Sequence, residues 1–263
     1  MGRFDGKVAL VTGAASGIGA AIARRCAADG ARVFAVDVNG AGAEAIAAEV
    51  GGVGHAADLT GREACEAMVA ACLTEFGALD LLFNNAGMGS LAKSPDLDPD
   101  LWRQVFALDV DAVFWTCRVA IPAMRGRPGA AIVNTASISG LAADHGFAAY
   151  NAAKGAVIQY TRALAVDHAV DGIRVNALCP GLVDTPLLGP LATLPGLMEA
   201  WLPEIPMARA ARPDEMANVA CFLASDEASY MTGSVVVADG GMTSRTGQPD
   251  FLARLAGATG AGA

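Results

Sequence analysis

Tyr150 and Lys154 stand four positions apart, separated by Asn151-Ala152-Ala153. On a helix that interval puts both side chains on one face. A phenol with its ordinary pKa of about 10 is a poor proton acceptor near neutrality. A neighbouring ammonium favours the phenolate and lowers that value, and a base brought toward the working pH is the more effective one. The pair reads as a general acid/base, able to exchange a proton with an oxygen whose charge changes during a reaction. A lone tyrosine on an amphipathic helix would carry no such meaning, so the rest of the chain has to decide.

A second chemical signature lies near the start. Thr12-Gly13-Ala14-Ala15-Ser16-Gly17-Ile18-Gly19 follows the apolar run Val8-Ala9-Leu10-Val11 and opens a helical pattern. Glycines there let the backbone approach a pyrophosphate, and a helix N-terminus adds amide donors and the positive end of its dipole. Gly13, Ser16, Gly17, Ile18 and Gly19 are therefore candidate dinucleotide contacts. Asp37 ends the next β-branched run, 32–36. A carboxylate at that place accepts from the ribose hydroxyls of NAD and repels the 2′-phosphate of NADP. Neither Ala14-Ala15 nor Val38-Asn39 offers a cation to meet a phosphate. NAD is the expected cofactor.

These groups need elements to position them. Short strand patterns at 8–11, 32–36, 54–57, 79–83, 130–135, 173–178 and 235–237, most of them β-branched, alternate with helical patterns at 18–28, 43–50, 62–76, 102–124, 150–170 and 213–224. Strands separated by helices imply right-handed crossovers and a parallel sheet covered on both faces. The expected fold is α/β, a Rossmann-like doubly wound sheet, with residues 1–263 in one domain. Ligands of such sheets bind at the strand C-termini, where the strand order reverses. Residues 185–212 contain five prolines among mixed apolar residues, which suits a mobile lid. The tail 243–263 is rich in Gly and Ala, and its last residues are expected to be poorly ordered.

Composition narrows the partners. The chain has 263 residues, enough for the core of one α/β domain. It is 54% hydrophobic, yet no apolar run is long enough to cross a bilayer. Met1-Gly2-Arg3-Phe4-Asp5-Gly6-Lys7 lacks the apolar stretch of a signal peptide, so a cytoplasmic location is expected. A formal charge of −9 counts against nucleic acid or an anionic membrane as partner. Six cysteines without a CxxC pair and three dispersed histidines give no zinc-ligand spacing. No metal is expected, and the cysteines read as buried, reduced thiols.

Taken in order, TGAASGIG (12–19), Asp58-Leu59, NNAG (84–87), Ser137, the Tyr150–Lys154 motif, Pro180-Gly181 and Asp239-Gly240-Gly241 resemble the short-chain dehydrogenase/reductase family. The resemblance runs from about Phe4 to Gly241; each motif is weak and the ordered set is specific. It implies an oxidoreductase that interconverts a secondary alcohol and a ketone by hydride transfer, with Tyr150 as acid/base. It also implies that Lys154 holds a nicotinamide ribose hydroxyl and that Ser137 orients the reacting oxygen, Ser139 being the competing serine. By the same resemblance Asp58 and Leu59 border the adenine, and Asn85, Ala86 and Gly87 lie along the ribose side. Thr185, beyond the Pro180-Gly181 turn, holds the carboxamide, and Val183 adds a backbone contact. One position departs from the pattern. Asp109 stands where the family usually has an Asn that kinks the helix and holds a proton-relay water. Asp109 is expected to keep the relay with a shifted pH optimum, a capping aspartate being the alternative.

The expected substrate wall is Met88-Gly89-Ser90, residues 142–147, Leu182 and the lid residues 187–202, with His145 either touching the ligand or capping its loop. These are mostly apolar, and no Arg or Lys lies between Arg174 and Arg209. The substrate is expected to be a small, mostly uncharged secondary alcohol or ketone. Helices 102–124 and 150–170 carry broad Ala/Val/Phe faces; the resemblance implies that they pair in a homotetramer, with Phe114 and Trp115 in that interface or in the core. Two other readings share the motifs. A 3-oxoacyl-carrier-protein reductase usually prefers NADPH and wants a basic surface for its acidic carrier, against which Asp37 and the acidic balance count. A dinucleotide-sensing binding module tends to lose the Tyr or the Lys, and both are present.

Overall fold

Apolar runs build the centre of the sheet. In the computed structural model, which describes residues 2–249 and 251–258, all five residues of β1 (Val8–Thr12) are buried. A strand with helices on both faces needs that composition. β1 is followed by β2 (Arg32–Asp37), β3 (Val53–Ala56), β4 (Leu81–Asn84), β5 (Ala131–Thr135), β6 (Arg174–Pro180) and β7 (Val235–Ala238). They form one parallel sheet in the order β3-β2-β1-β4-β5-β6-β7. Val11 pairs with Ala35 on one side and Phe83 on the other, and the order reverses there, between β1 and β4.

Alternation along β1 sends its side chains to two cores. Ala9 and Val11 pack with Ile22 and Cys26 of α1 (Gly17–Ala28) and with Met216 and Ala220 of α9 (Pro213–Ala224). Val8 and Leu10 pack on the opposite face with Met68 and Cys72 of α3 (Arg62–Phe76), Cys117 and Ile121 of α5 (Ala112–Met124) and Leu164 of α6 (Ala148–His168). The remaining crossover, α2 (Gly40–Val50), starts at Asn39, whose side chain accepts from the Gly42 amide. No helix among the described residues is long and apolar enough to cross a membrane.

The expected helix 102–124 is divided. It starts earlier, as α4 (Pro99–Phe106), because Asp98 accepts from the Asp100 amide and Pro99 occupies the first turn. A π-helical turn, Ala107–Asp111, then joins it to α5. α6 begins at Ala148, which sets Tyr150 in its first turn. The stretch expected to be a mobile lid carries two short helices, α7 (Gly189–Ala192) and α8 (Leu197–Trp201). Within the tail, Phe251–Ala258 is helical, α10. The end of the expected disordered tail, 259–263, lies outside the described residues.

Candidate active site

The C-terminal ends of β1, β2, β4, β5 and β6 open into a cleft of about 790 Å³. Thr12 ties three of these ends together. Its hydroxyl accepts from the Asn85 amide at 2.9 Å and the Ala86 amide at 3.0 Å. The Asn85 side chain donates to the Thr12 carbonyl and accepts from the Thr135 hydroxyl, each at 3.2 Å. Gly13 turns the chain with φ +67°, and a Cβ there would stand 3.0 Å from the Ala86 Cα. No side chain caps the start of α1, so its first-turn amides stay available to a ligand. Gly13, Ser16, Gly17 and Ile18 line the cleft. Gly19 does not; a Cβ on it would lie 2.1 Å from the Gly13 carbonyl oxygen, so its role is to let α1 lie against the turn.

Asp37 closes the far end. Its Oδ2 accepts from the Ala15 amide at 3.0 Å and its Oδ1 from the Asn39 amide at 2.9 Å. Each oxygen keeps a lone pair for a further donor. Asp58 and Leu59 line the same end. The Thr60 amide and hydroxyl donate to Asp58 at 3.0 and 2.8 Å and hold its carboxyl below the usual range. Lys154 is the sole Lys or Arg among the described cleft-lining residues, and it lies at the other end. Two left-handed glycines, helix amides without a side-chain cap and a carboxylate with free lone pairs fit a dinucleotide.

At the catalytic end, Lys154 is buried, with Nζ 5.4 Å from the centre of the Tyr150 ring. Nζ donates to the Thr135 carbonyl at 3.2 Å and pairs with Asp109 Oδ2 at 3.0 Å. The other oxygen of Asp109 accepts from the Met88 amide at 2.8 Å. Burial is the strongest influence on both groups. For Asp109 it prevails over the nearby ammonium and raises the pKa. For Lys154 it acts downward, but Asp109 and Tyr150 together outweigh it and the pKa is raised. Gly87 leaves the room this pair needs, since a Cβ there would stand 3.1 Å from Nζ and 3.2 Å from Oδ2.

Asp109 therefore sits behind the cleft wall, in direct contact with Lys154, and does not line the cleft. The π turn, a device common at functional sites, aims its side chain there. The capping alternative is set aside, because the amide it accepts belongs to another segment.

Ser137 and Ser139 both line the cleft and are bonded to each other. The Ser139 amide donates to Ser137 Oγ at 3.1 Å, and Ser137 Oγ donates to Ser139 Oγ at 3.1 Å. Ser139 Oγ in turn donates to Asp144 Oδ2 at 2.5 Å. Asn85, Ala86, Gly87, Pro180, Gly181, Val183 and Thr185 also line the cleft. The Thr185 methyl covers Gly17, whose Cβ would meet it at 3.1 Å. Leu182, Phe147 and the lid residues Leu188, Leu191, Leu197 and Trp201 complete the apolar wall. Met88-Gly89-Ser90 and His145 are absent from it; Met88 packs instead with Val105 and Ala149. Thr12, Thr135 and Asp144 were not singled out from the sequence, although Asp144 falls within the expected wall 142–147. Phe114 is partly exposed, whereas Trp115 packs on the α3–α5 core under the Arg62 guanidinium.

A doubly wound parallel sheet with a glycine turn at the reversal of strand order, and a Tyr–Lys pair at the same strand ends, defines a dinucleotide-dependent oxidoreductase. A family model described as enoyl-(acyl carrier protein) reductase matches residues 13–243. Meso-2,3-butanediol dehydrogenase of Serratia marcescens is 39% identical over 254 residues, covering 95% of this chain and 100% of the relative. Cyclohexanol dehydrogenase of an Acinetobacter strain is 38% identical over 250 residues, covering 92% and 97%. Among solved structures, a 3-ketoacyl-(acyl-carrier-protein) reductase from Brucella melitensis complexed with NADH superposes with a TM-score of 0.84 at 38% identity, covering 91% and 99%. The chain belongs to the short-chain dehydrogenase/reductase family.

Proposed function

We propose that the protein is an NAD-dependent dehydrogenase that interconverts a small, mostly uncharged secondary alcohol and its ketone. One observation carries this reading: Tyr150, Lys154 and Ser137 share a single cleft with the glycine turn and Asp37. The secondary carbinol of the butanediol and cyclohexanol named for two relatives supports the substrate class. Bound NAD supplies the hydride acceptor.

Tyr150 takes the alcohol proton, and gives one to the ketone in reverse. Lys154, fixed by Asp109 and the Thr135 carbonyl, keeps a positive charge beside the phenol and reaches a ribose hydroxyl. Ser137 orients the reacting oxygen. Asp109 acts through Lys154 and is a positioning residue. Gly13, Ser16, Gly17 and Ile18 hold the pyrophosphate, Asp37 the adenosine ribose, and Asp58 and Leu59 the adenine. Asn85, Ala86 and Gly87 follow the ribose side, while Pro180, Gly181, Val183 and Thr185 hold the nicotinamide. Residues 185–212 serve as the lid of this one catalytic domain.

Exposed Phe114 on α5, Val166 on α6 and Val170 just beyond it support a homotetramer built on those helices. Free, buried cysteines at all six positions suit a reducing, cytoplasmic compartment. The net charge of −9 disfavours an acidic carrier protein as substrate. The test is NADH formation from NAD with a panel of secondary alcohols, repeated with NADP. Turnover with kcat/KM at least about tenfold higher for NAD is expected, from charge repulsion and the lost hydrogen bond at Asp37. A preference for NADP overturns the cofactor assignment; tight NAD binding without turnover of any alcohol favours a sensor.

A further inference from the structure

Among the described residues five ionisable side chains line the cleft: Asp37 and Asp58 at the adenosine end, Tyr150, Lys154 and Asp144 at the catalytic end. Lys154 is held in an ion pair. Asp144 faces the substrate space with no cation beside it among the described residues. Its Oδ2 accepts from Ser139. Its Oδ1 has no hydrogen-bond partner there. Asp144 is exposed, and it shares the cleft with the apolar side chains of Phe147, Leu188, Leu191 and Trp201.

Hydrogen-bond directions follow from the carboxylate. An ionised carboxylate can only accept, and a serine hydroxyl has a single proton. Ser139 must spend its proton on Asp144, whereas Ser137 gives its own to Ser139 in the ligand-free cleft and can turn it to the reacting oxygen when substrate binds. The Ser139–Asp144 link therefore has a fixed sense, and it anchors Asp144 two hydrogen bonds from the serine that orients the reacting oxygen. Hydrogen bonds of 3.1 and 2.5 Å separate Ser137 Oγ from Asp144 Oδ2, so Asp144 is within reach of a substituent on the carbon next to the one whose oxygen Ser137 orients. A hydroxyl there gives Oδ1 a donor. An alkyl group there strips water from Oδ1 and returns nothing, which is the arrangement that discriminates most sharply against a substrate lacking the group. A carboxylate substituent is repelled.

We propose that Asp144 is a specificity-determining residue that accepts a hydrogen bond from a second hydroxyl of the substrate, so that the protein prefers neutral vicinal diols and polyols to mono-alcohols. This rests on the assignment of Tyr150 and Ser137 to the reacting oxygen.

The test compares kcat/KM, with NAD, for matched pairs: butane-2,3-diol against butan-2-ol, and cis-cyclohexane-1,2-diol against cyclohexanol. A charge-assisted hydrogen bond predicts a diol preference of about tenfold to a hundredfold in the wild type. Asp144→Asn keeps an acceptor and should retain part of that preference. Asp144→Leu should bring the ratio near one, with most of the change in KM for the diol. Ser139→Ala breaks the link to Ser137 and should slow both members of a pair while keeping their ratio. NAD affinity and melting temperature, measured for each variant, report folding. If Asp144→Leu slows diol and mono-alcohol alike and leaves the ratio unchanged, Asp144 only supports the serines and the proposal falls. Equal use of diol and mono-alcohol by the wild type also overturns it, as does a preference for 3-aminobutan-2-ol over the diol. Failure of the wild type to oxidise any alcohol defeats the functional assignment itself, and the proposal with it.

Discussion

The two ends of the cleft are made of different material. Around Gly13, Gly17 and Asn85 the wall is main chain, locked by the Thr12 hydroxyl and by glycines whose Cβ positions are already filled by neighbours. Around Asp144, Leu188, Leu191 and Trp201 the wall is side chains, carried on a loop and two helices of four and five residues. Lys154 and Tyr150 lie where the two meet. The first end admits one ligand shape; the second can be retuned by exchanging side chains. Perturbing the two ends, and the junction, should therefore give effects of different kind and size.

The largest loss is expected at the junction. Tyr150→Phe keeps the ring and removes the proton acceptor, so kcat should fall by about 10² to 10⁴. NAD affinity should stay within about twofold, since a single neutral contact is all the cofactor would lose. Stopped-flow or steady-state rates alongside NAD titration check both halves of this expectation. A comparable fall in NAD affinity would mean that Tyr150 serves the cofactor end instead.

Asp109→Asn comes next and separates charge from shape. Removing one partner of a buried pair costs about 3–5 kcal/mol when nothing replaces it, and less here because Asn retains a polar group. The sign with pH follows from Lys154. Its folded pKa is raised in the wild type, so its contribution is full below the unfolded value near 10.4 and is lost as pH rises through the folded one. Without the Asp109 carboxylate, burial is opposed only by Tyr150 and, more weakly, by Cys179, and the Lys154 pKa falls. The variant's penalty is then relieved as Lys154 loses its proton. The deficit in melting temperature should be greatest near neutrality and narrow toward pH 10. With the ammonium no longer compensated by a carboxylate, the pH profile of alcohol oxidation should move to lower pH. A deficit that grows with pH would show that Asp109 does not set the Lys154 charge.

At the main-chain end, Gly19→Ala drives a methyl to 2.1 Å from the Gly13 carbonyl. The two nearest atoms, the oxygen and carbon of the Gly13 carbonyl, are backbone, so α1 has to move. Overpacking of this kind costs about 1–3 kcal/mol and should weaken NAD binding even though Gly19 does not line the cleft. Denaturant melts with and without NAD measure the two effects. Unchanged NAD affinity would show the turn to be more yielding than its packing implies.

The same contrast explains what could be read from the residues alone. Gly13, Gly17, Asp37, Ser137, Tyr150 and Lys154 converge on one cleft as their motifs imply, because each is tied to a strand end or a helix turn whose type the hydrophobic pattern announces. Three features escape such reading. The resemblance implies a kink at Asp109, but its form, a π turn with one extra residue in an otherwise helical run, is marked by no residue type. Met88-Gly89-Ser90 follow the NNAG motif, yet Met88 turns into a core with Val105, a matter of three-dimensional packing. Asp144 reaches Ser137 only through Ser139, a path set by side-chain direction on a loop. Strand ends and glycine turns are local facts. Side-chain reach across a cleft is not.

The lid should give the smallest effect, and its kind matters more than its size. Leu191 is half-buried on α7, on the cleft wall, and touches no catalytic group. Full burial of a leucine side chain stabilises by roughly 1.5–3 kcal/mol, so truncating one already half in water should cost less than about 1 kcal/mol of stability. What Leu191→Ala removes is apolar contact with bound substrate, equally present before and during the reaction. Such uniform binding raises KM and leaves kcat alone. A KM increase of a few-fold at constant kcat is therefore expected, larger for cyclohexanol than for butan-2-ol because the ring presents more apolar area to the wall. Loss in kcat instead would mean that the lid helps to place the reacting carbon, and that the side-chain end of the cleft takes part in the chemistry as well as in the choice of substrate.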